Sequence, residues 1–254
     1  MADLFRVVAW NIRAGGGTRA VKISRSILKL NPDVVILSEY RSTQPSQNIA
    51  QVLAQHDYLH QSTTTSEVAP TRNALLIAAR SPFIQLALDY APDEPGRWNI
   101  LRLSNPDLLI AGMHIPNQHT GRKPQYHEAV LTTMRHWRDI PAIFAGDTNS
   151  GRKGEDEETA VFNNRTTAWF DQIEAAGWRD AFRLVHGPKR EFTWYSPGHN
   201  NGFRLDQAFI SPRLVEHIID VRHLWVVDEE NPNRRDAMSD HAALIIDVDI
   251  HSLG

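Results

Sequence analysis

A mixed α/β fold built on two β-sheets is predicted by three observations. Short apolar, β-branched runs alternate with amphipathic helical patterns near the start of the chain. A series of strands separated by turns rich in Pro, Asp, Gly and Asn fills the middle. No linker, no repeat of fixed short period and no break in composition divides the 254 residues, which are read as a single domain over 1–254.

Taken in order, Phe5 to Ile12 reads as a buried strand ending in the flexible loop Arg13-Ala14-Gly15-Gly16-Gly17. Ala20, Ile23, Ile27 and Leu30 fall at helical spacing, and Asn31-Pro32 closes that helix. Asp33 to Glu39 is the next buried strand, and a strand-helix-strand unit of this kind favours a parallel pair. Such a pair brings Asn11 and Glu39 to neighbouring carboxyl ends, where open α/β sheets place their ligands. Pro45 to Leu53 is expected as a short helix and Gln61 to Arg72 as a polar surface loop. The runs 74–79, 83–88, 98–103 and 108–115 read as successive strands of an antiparallel meander. A helix over 124–137 and a buried strand over 141–147 follow. Residues 151–158 are charged and expected as an exposed loop; 167–176 is a helix terminated by Gly177. Strands over 205–210, 218–227 and 242–250 complete the set.

Composition narrows the function classes. With 41% hydrophobic residues the chain buries a sizeable core, and with no cysteine it does so without disulfides, which fits a reducing compartment. Met1 to Arg6 lacks a basic segment followed by an apolar one, and no later apolar run approaches the ~20 residues that span a bilayer. A soluble, cytoplasmic protein without membrane contact or obligate protein partner is the expectation. A formal net charge of -3 is no polybasic signature, so a polyanionic substrate must be met by local charge or by a metal ion.

Polar residues interrupt the buried runs at their ends: Asn11, Glu39, His114, Asn117, Asp147, Asn149, Asp206, Asp240 and His241. One Asn or Asp at such a place is an ordinary turn or cap. Nine at the ends of the same strands suit metal-assisted phosphodiester cleavage. Glu39, with Asn11 or Asp240 beside it, offers the hard oxygen ligands that Mg²⁺ prefers, with Mn²⁺ as a substitute. Asp147 can orient or deprotonate the attacking water, and Asn149 can donate to phosphate oxygens as charge builds on them. A His241–Asp206 pair fixes the imidazole tautomer and holds its charged form.

At these residues the chain resembles the endonuclease/exonuclease/phosphatase superfamily of Mg²⁺-dependent phosphoesterases. The matching pieces are Val8-Ala9-Trp10-Asn11-Ile12-Arg13, Asp33 to Glu39, His114-Ile115-Pro116-Asn117, Gly146-Asp147-Thr148-Asn149, Arg204-Leu205-Asp206 and Ser239-Asp240-His241, in the family's order. The resemblance implies a four-layer α/β sandwich, two packed sheets flanked by helices, with the site at one end. It implies Asn11, Glu39 and Asp240 near the metal, Asp147 and Asn149 at the nucleophile and phosphate, and His241 paired with Asp206.

Phe192-Thr193-Trp194-Tyr195 and Gly202-Phe203-Arg204-Leu205-Asp206 look like exonuclease III and the abasic-site endonucleases. There the residues matching Trp194, Phe203 and Leu205 line a pocket for a base-less sugar; core packing is the competing reading. That branch carries an acidic residue two places after the first Asn and a tyrosine where this chain has His114, whereas this chain has Arg13 and a histidine. A histidine there is similar to the pancreatic deoxyribonuclease and phosphatase branches, where it serves as a phosphate donor or acid. Arg122-Lys123, Arg152-Lys153 and Arg234-Arg235 could rim the site with positive charge. The leading expectation is a nuclease acting on DNA, or RNA, as its nucleic-acid partner. The alternatives are a phosphatase or phosphodiesterase on a small or lipid phosphoester, and an inactive binding module on the same scaffold. Neither the Trp-Cys-Asp-Arg signature of inositol polyphosphate phosphatases nor a secretion signal of the bacterial sphingomyelinase kind is present.

Overall fold

Strand β1 (Leu4–Asn11) sends Phe5, Val7 and Ala9 to one side and Trp10 to the other, and both sides are buried. That two-faced burial recurs along the chain, which is why its strands read as continuous apolar runs rather than as alternations. The computed structural model describes residues 4–88, 91–92 and 95–251. Part of the leader expectation, resting on residues 1–3, lies outside the described residues.

The chain continues through α1 (Ala20–Leu30), β2 (Val34–Tyr40), α2 (Gln44–Ala54), β3 (His60–Thr63), β4 (Ala74–Ala79) and β5 (Phe83–Gln85). Next come β6 (Trp98–Ser104), β7 (Asp107–His114), α3 (Lys123–His136), β8 (Ala142–Asp147) and α4 (Asn164–Ala175). The last part holds β9 (Arg179–Asp180), α5 (Ala181–His186), β10 (Trp194–Tyr195), β11 (Gly202–Phe203), β12 (Asp206–Ile210), β13 (Ile218–Leu224) and β14 (Ala243–Asp249).

Two six-stranded sheets result, one in the order β13-β14-β1-β2-β4-β3 and the other β5-β6-β7-β8-β12-β9. Each is mixed: β1–β2 and β7–β8 are parallel, and the remaining pairs within each are antiparallel. Val7, Ala9, Val34, Ile36 and Ile77 of the first sheet share a core with Leu101, Leu103, Ile110, Ile143 and Ala208 of the second. Their neighbours Trp10, Val35, Leu37 and Leu76 pack outward against Ile23 and Ile27 of α1 and Ile49 and Leu53 of α2. On the far side Ile100, Leu109, Ala111 and Phe144 pack against Tyr126, Val130 and Met134 of α3 and Trp169, Phe170 and Ile173 of α4. The period of two in a strand assigns each residue to one core or the other. The architecture is the four-layer α/β sandwich.

Several local expectations change. Residues 74–115 do not form one meander: β4 joins the first sheet beside β2, and β5 to β7 belong to the second. Both surroundings bury apolar strands, so the pattern along the chain does not distinguish them. His60–Thr63, which overlaps the start of the loop expected over 61–72, is the edge strand beside β4, where polar side chains meet solvent on the open side. The strand expected over 83–88 stops at Gln85. The loop 151–158 is not simply exposed, because Asp156 and Glu157 are fully buried. Among the described residues no helix is long and apolar enough to cross a membrane.

Candidate active site

Both parallel pairs end at the same edge of the sandwich, and their last residues are polar. Asn11 ends β1 beside Ser38, and Glu39 follows on β2. His114 ends β7 in register with Asp147, the last residue of β8, and Asp147 also faces Asp206, the first residue of β12. Gly146 sets this crossing: with φ 144°, a Cβ there would lie 1.9 Å from the Met113 carbonyl oxygen, so only glycine lets β8 lie this close to β7.

Asp147, buried, is the hub. Its Oδ1 accepts the Asn149 backbone N–H (2.9 Å), and its Oδ2 accepts Asn11 Nδ2 (3.1 Å). The same Oδ2 lies 3.6 Å from His114 Nε2 and 3.9 Å from His241 Nε2. Burial pushes its carboxyl up to about 6, with the His241 charge opposing and Asp206 adding to the rise. The other ring nitrogen of His241, Nδ1, is 2.9 Å from Asp206 Oδ2. Burial alone would lower the imidazole's pKa, but Asp206 and then Asp147 raise it to about 10, so the ring is cationic at neutral pH. His114 goes the other way: burial first, then the charges of Arg97 and His241, hold it well below its ordinary value, and it stays neutral. Two histidines near one carboxylate therefore carry different charges.

Glu39 sits where pairing with β4 shifts register, and at φ 56° it occupies the left-handed region, strained for a residue with a Cβ. Its Oε2 accepts the Ala14 N–H (2.7 Å), and its Oε1 is 3.4 Å from Asn11 Nδ2. Asn11 thus donates to both carboxylates, while its Oδ1 accepts the Arg13 N–H at 3.0 Å. Asp240, a third exposed, is 3.9 Å from the Arg13 guanidinium. These are hard oxygen donors with no thiol nearby, and Mg²⁺ needs one or two carboxylates with water completing its shell. Donors of this kind fit such a cation, and Glu39 and Asp240 are the carboxylates that would hold it. Among the described residues no three His, Cys, Asp or Glu side chains are grouped to hold a metal by themselves.

Asn149, at φ 46°, spends one side-chain N–H on the Ile115 carbonyl (2.9 Å). Asn117 is exposed at the start of the short helical turn 118–120. Trp194 is half-buried and bridges to His241, whereas Phe203 and Leu205 are buried. Phe203 packs on Trp194 and Phe162, and with Val161 and His199 it lines a cavity of about 760 Å³.

Several functional neighbours carried little signal in the sequence. Arg97, before β6, places Nη1 3.2 Å from His114 Nε2 and 3.3 Å from Nδ1. Thr193 is fully buried, and its Oγ1 accepts the N–H groups of Leu205 (2.9 Å) and Asp206 (3.1 Å) while its carbonyl accepts from Ala242, tying the two halves of the His–Asp pair together. Arg204, fully buried, donates to Asp156 (2.9 Å) and Asp180 (2.5 Å), and Arg183 donates to Asp156 (2.5 Å). This network fixes the strand segment that leads into Asp206.

The expected basic rim is partly spent elsewhere. Arg152 reaches Asp171 (2.6 Å) and Glu174 (2.7 Å) on α4, and Arg234 reaches Asp236 (2.8 Å). Lys123 turns inward to donate to the Asn149 carbonyl; burial lowers its pKa to about 8 against the pull of Asp147.

His127 on α3 braces the same turn, with Nε2 3.1 Å from Ser150 Oγ and its ring stacked on Trp169 at 4.0 Å. Burial, helped by Lys123 and Arg165, lowers its pKa to about 3. A histidine with a depressed folded-state pKa contributes stability that is present above its unfolded value of about 6.5 and lost as pH falls toward 3. Thermal unfolding followed from pH 7 to 4 is expected to show a fall in Tm that is shallower in His127→Gln. Equal slopes for both proteins would contradict a neutral His127.

Comparison with known proteins agrees with this layout. A Caenorhabditis elegans protein of uncharacterized role is 26% identical over 70% of this chain and 64% of its own length, so the match spans less than two thirds of that relative. A Streptococcus pneumoniae exodeoxyribonuclease is 22% identical over 96% of this chain and 100% of its own. The structure of the Neisseria 3′ phosphatase NExo bound to a product DNA hairpin superimposes with a TM-score of 0.77 at 21% identity, covering 96% of this chain and 99% of that one. Matched to the family profile from Val8 on β1 to His241 beside β14, a span that takes in every strand end described above, the chain belongs to the Endonuclease/Exonuclease/phosphatase family.

Proposed function

We propose that the protein is a nuclease that hydrolyses phosphodiester bonds of DNA by attack of water on phosphorus, in the cytoplasm and with a divalent cation, Mg²⁺ or Mn²⁺ in its place. The observation that carries the reading is the buried carboxylate of Asp147, held by Asn11 and the Asn149 backbone, with a cationic and a neutral histidine within 3.9 Å. A cation bound by Glu39 and Asp240 would polarise the phosphoryl group and offset its charge.

Asp147 takes a proton from water as the new O–P bond forms and the bond to the leaving oxygen breaks; solvent then protonates that oxygen. The His241 imidazolium, fixed by Asp206, and the Asn149 amide donate to the phosphoryl oxygens as charge builds on them. Neutral His114, backed by Arg97, supplies a further donor opposite. The relatives support nucleic acid as the substrate, since one is named an exodeoxyribonuclease and another is a 3′ phosphatase seen with DNA.

The test uses labelled duplex DNA, duplex DNA with one abasic site, a 3′-phosphorylated oligonucleotide and single-stranded RNA, each with Mg²⁺ and with EDTA. Cleavage or dephosphorylation of a DNA substrate with Mg²⁺, reduced to background by EDTA, is expected. Cutting confined to the abasic duplex would assign Trp194, Phe203 and Leu205 to a lesion pocket. Turnover of small phosphoesters with every nucleic acid left intact would overturn the reading in favour of a phosphatase.

A further inference from the structure

Beside the candidate site lies a second pocket, which meets the chemistry above at Asp240. It has a volume of about 320 Å³, and its lining includes Arg13, Tyr195, Trp225, Arg235 and Asp240. Arg13 and Asp240 belong to the metal end of the candidate site, and Tyr195 follows Trp194, which bridges to His241. The pocket is therefore a lateral extension of the reaction centre rather than a separate hollow.

Its floor is aromatic, with the Tyr195 and Trp225 rings 6.1 Å apart and tilted 47° to each other. The Arg235 guanidinium carbon lies 3.4 Å from the centre of the Tyr195 ring and 5.1 Å from that of Trp225, and Nη2 donates to Asn200 Oδ1 at 3.2 Å. An arginine held this way shows a planar edge and face instead of a mobile charge. The formal charges in the lining balance, Arg13 and Arg235 against Asp236 and Asp240. Asp236 is further engaged by Arg234 at 2.8 Å. A pocket of balanced charge gives little pull on a phosphate but suits a neutral ring. Ligand pockets run from ~300 to 1,000 Å³, so this one has room for a single base and none for a duplex.

From this arrangement we infer that the pocket formed by Tyr195, Trp225 and Arg235 binds one nucleobase of the substrate strand, that of a nucleotide flanking the phosphate held at Asp147. The inference rests on the nuclease reading, and it adds a base-stacking subsite beside the metal end of that site.

Binding is separable from cleavage. The Asp147→Asn background, with a fluorescent single-stranded DNA hexamer read by anisotropy, measures the subsite without turnover. Trp225→Ala and Arg235→Ala in that background are each expected to weaken Kd by about tenfold, the usual worth of one base on a flat side chain. A hexamer with a base-free spacer at the flanking nucleotide should bind the parent tenfold more weakly, and the two variants should no longer distinguish it from the full hexamer. Arg235→Lys keeps the charge but not the plane, and is expected to stay weakened. Recovery of parental binding by Arg235→Lys would make the contact electrostatic and overturn the stacking inference. Kd within twofold of the parent in both alanine variants, with the active enzyme still cutting DNA, would overturn the subsite and leave the nuclease reading standing. Absence of both binding and cutting would remove the two together.

Discussion

Asp147→Asn is expected to lower phosphodiester cleavage by about a thousandfold, in the range that loss of a positioned acid–base group produces. The substitution keeps the size of the side chain and the acceptor for the Asn149 N–H. It removes the carboxylate that lies within 3.9 Å of Asn11, His114 and His241, and with it the base for water. His241 keeps Asp206 at 2.9 Å and so keeps its orientation. The variant should therefore fold, with circular dichroism like that of the parent, while kcat falls and substrate binding is largely retained. Residual activity within tenfold of the parent would remove Asp147 from the role of base.

Replacing Arg204 by methionine is the substitution expected to cost most in stability. The guanidinium is wholly inaccessible, and its pKa is raised because Asp180 and Asp156 outweigh the penalty of burial. Removing it leaves two carboxylates buried near each other, with Arg183 at the margin as the remaining cation for Asp156. Breaking a buried ion pair costs about 3–5 kcal/mol, which for a protein of this size lowers Tm by roughly 6–20 °C. The combined variant Arg204→Met, Asp156→Leu and Asp180→Leu should regain only part of the loss: it removes the two stranded carboxylates, but it leaves Arg183 without Asp156, the Arg152 N–H without its acceptor and α5 without its Asp180 cap. A Tm within 2 °C of the parent for Arg204→Met alone would mean that water or movement of Arg183 reaches the site. Activity should fall as well, since Arg204 stands two residues before Asp206.

The parts of this molecule that could be read from the sequence share one property: their physics is local. Strands such as Val7–Asn11 and Ala142–Asp147 are buried on both faces, so every polar residue within them is out of place, and Asn11, Glu39, His114 and Asp147 stood out for that reason. The parallel pairing of β1 with β2 followed from the helix between them. Arg97 stood out in no such way, because an arginine before a strand is ordinary until folding sets it 3.2 Å from His114. Residues 151–158 looked like solvated charge, and were misjudged because the partners that bury Asp156 lie 27 and 48 positions away. The allocation of β4 and β5 to different sheets was equally unreadable: an apolar strand does not record which of two sheets it enters.

The placement of β14 has a consequence for biosynthesis. It lies inside its sheet, between β13 and β1, and pairs with β1 from Leu4↔Asp249 to Ala9↔Leu244. Until those residues leave the ribosome, β1 keeps an open edge along its whole length, His241 is not yet in place, and Asp206 has no imidazole to hold. Any chemistry that depends on His241 is therefore silent until β14 has been made and docked, and the nascent chain acquires it in the same step that closes the sheet.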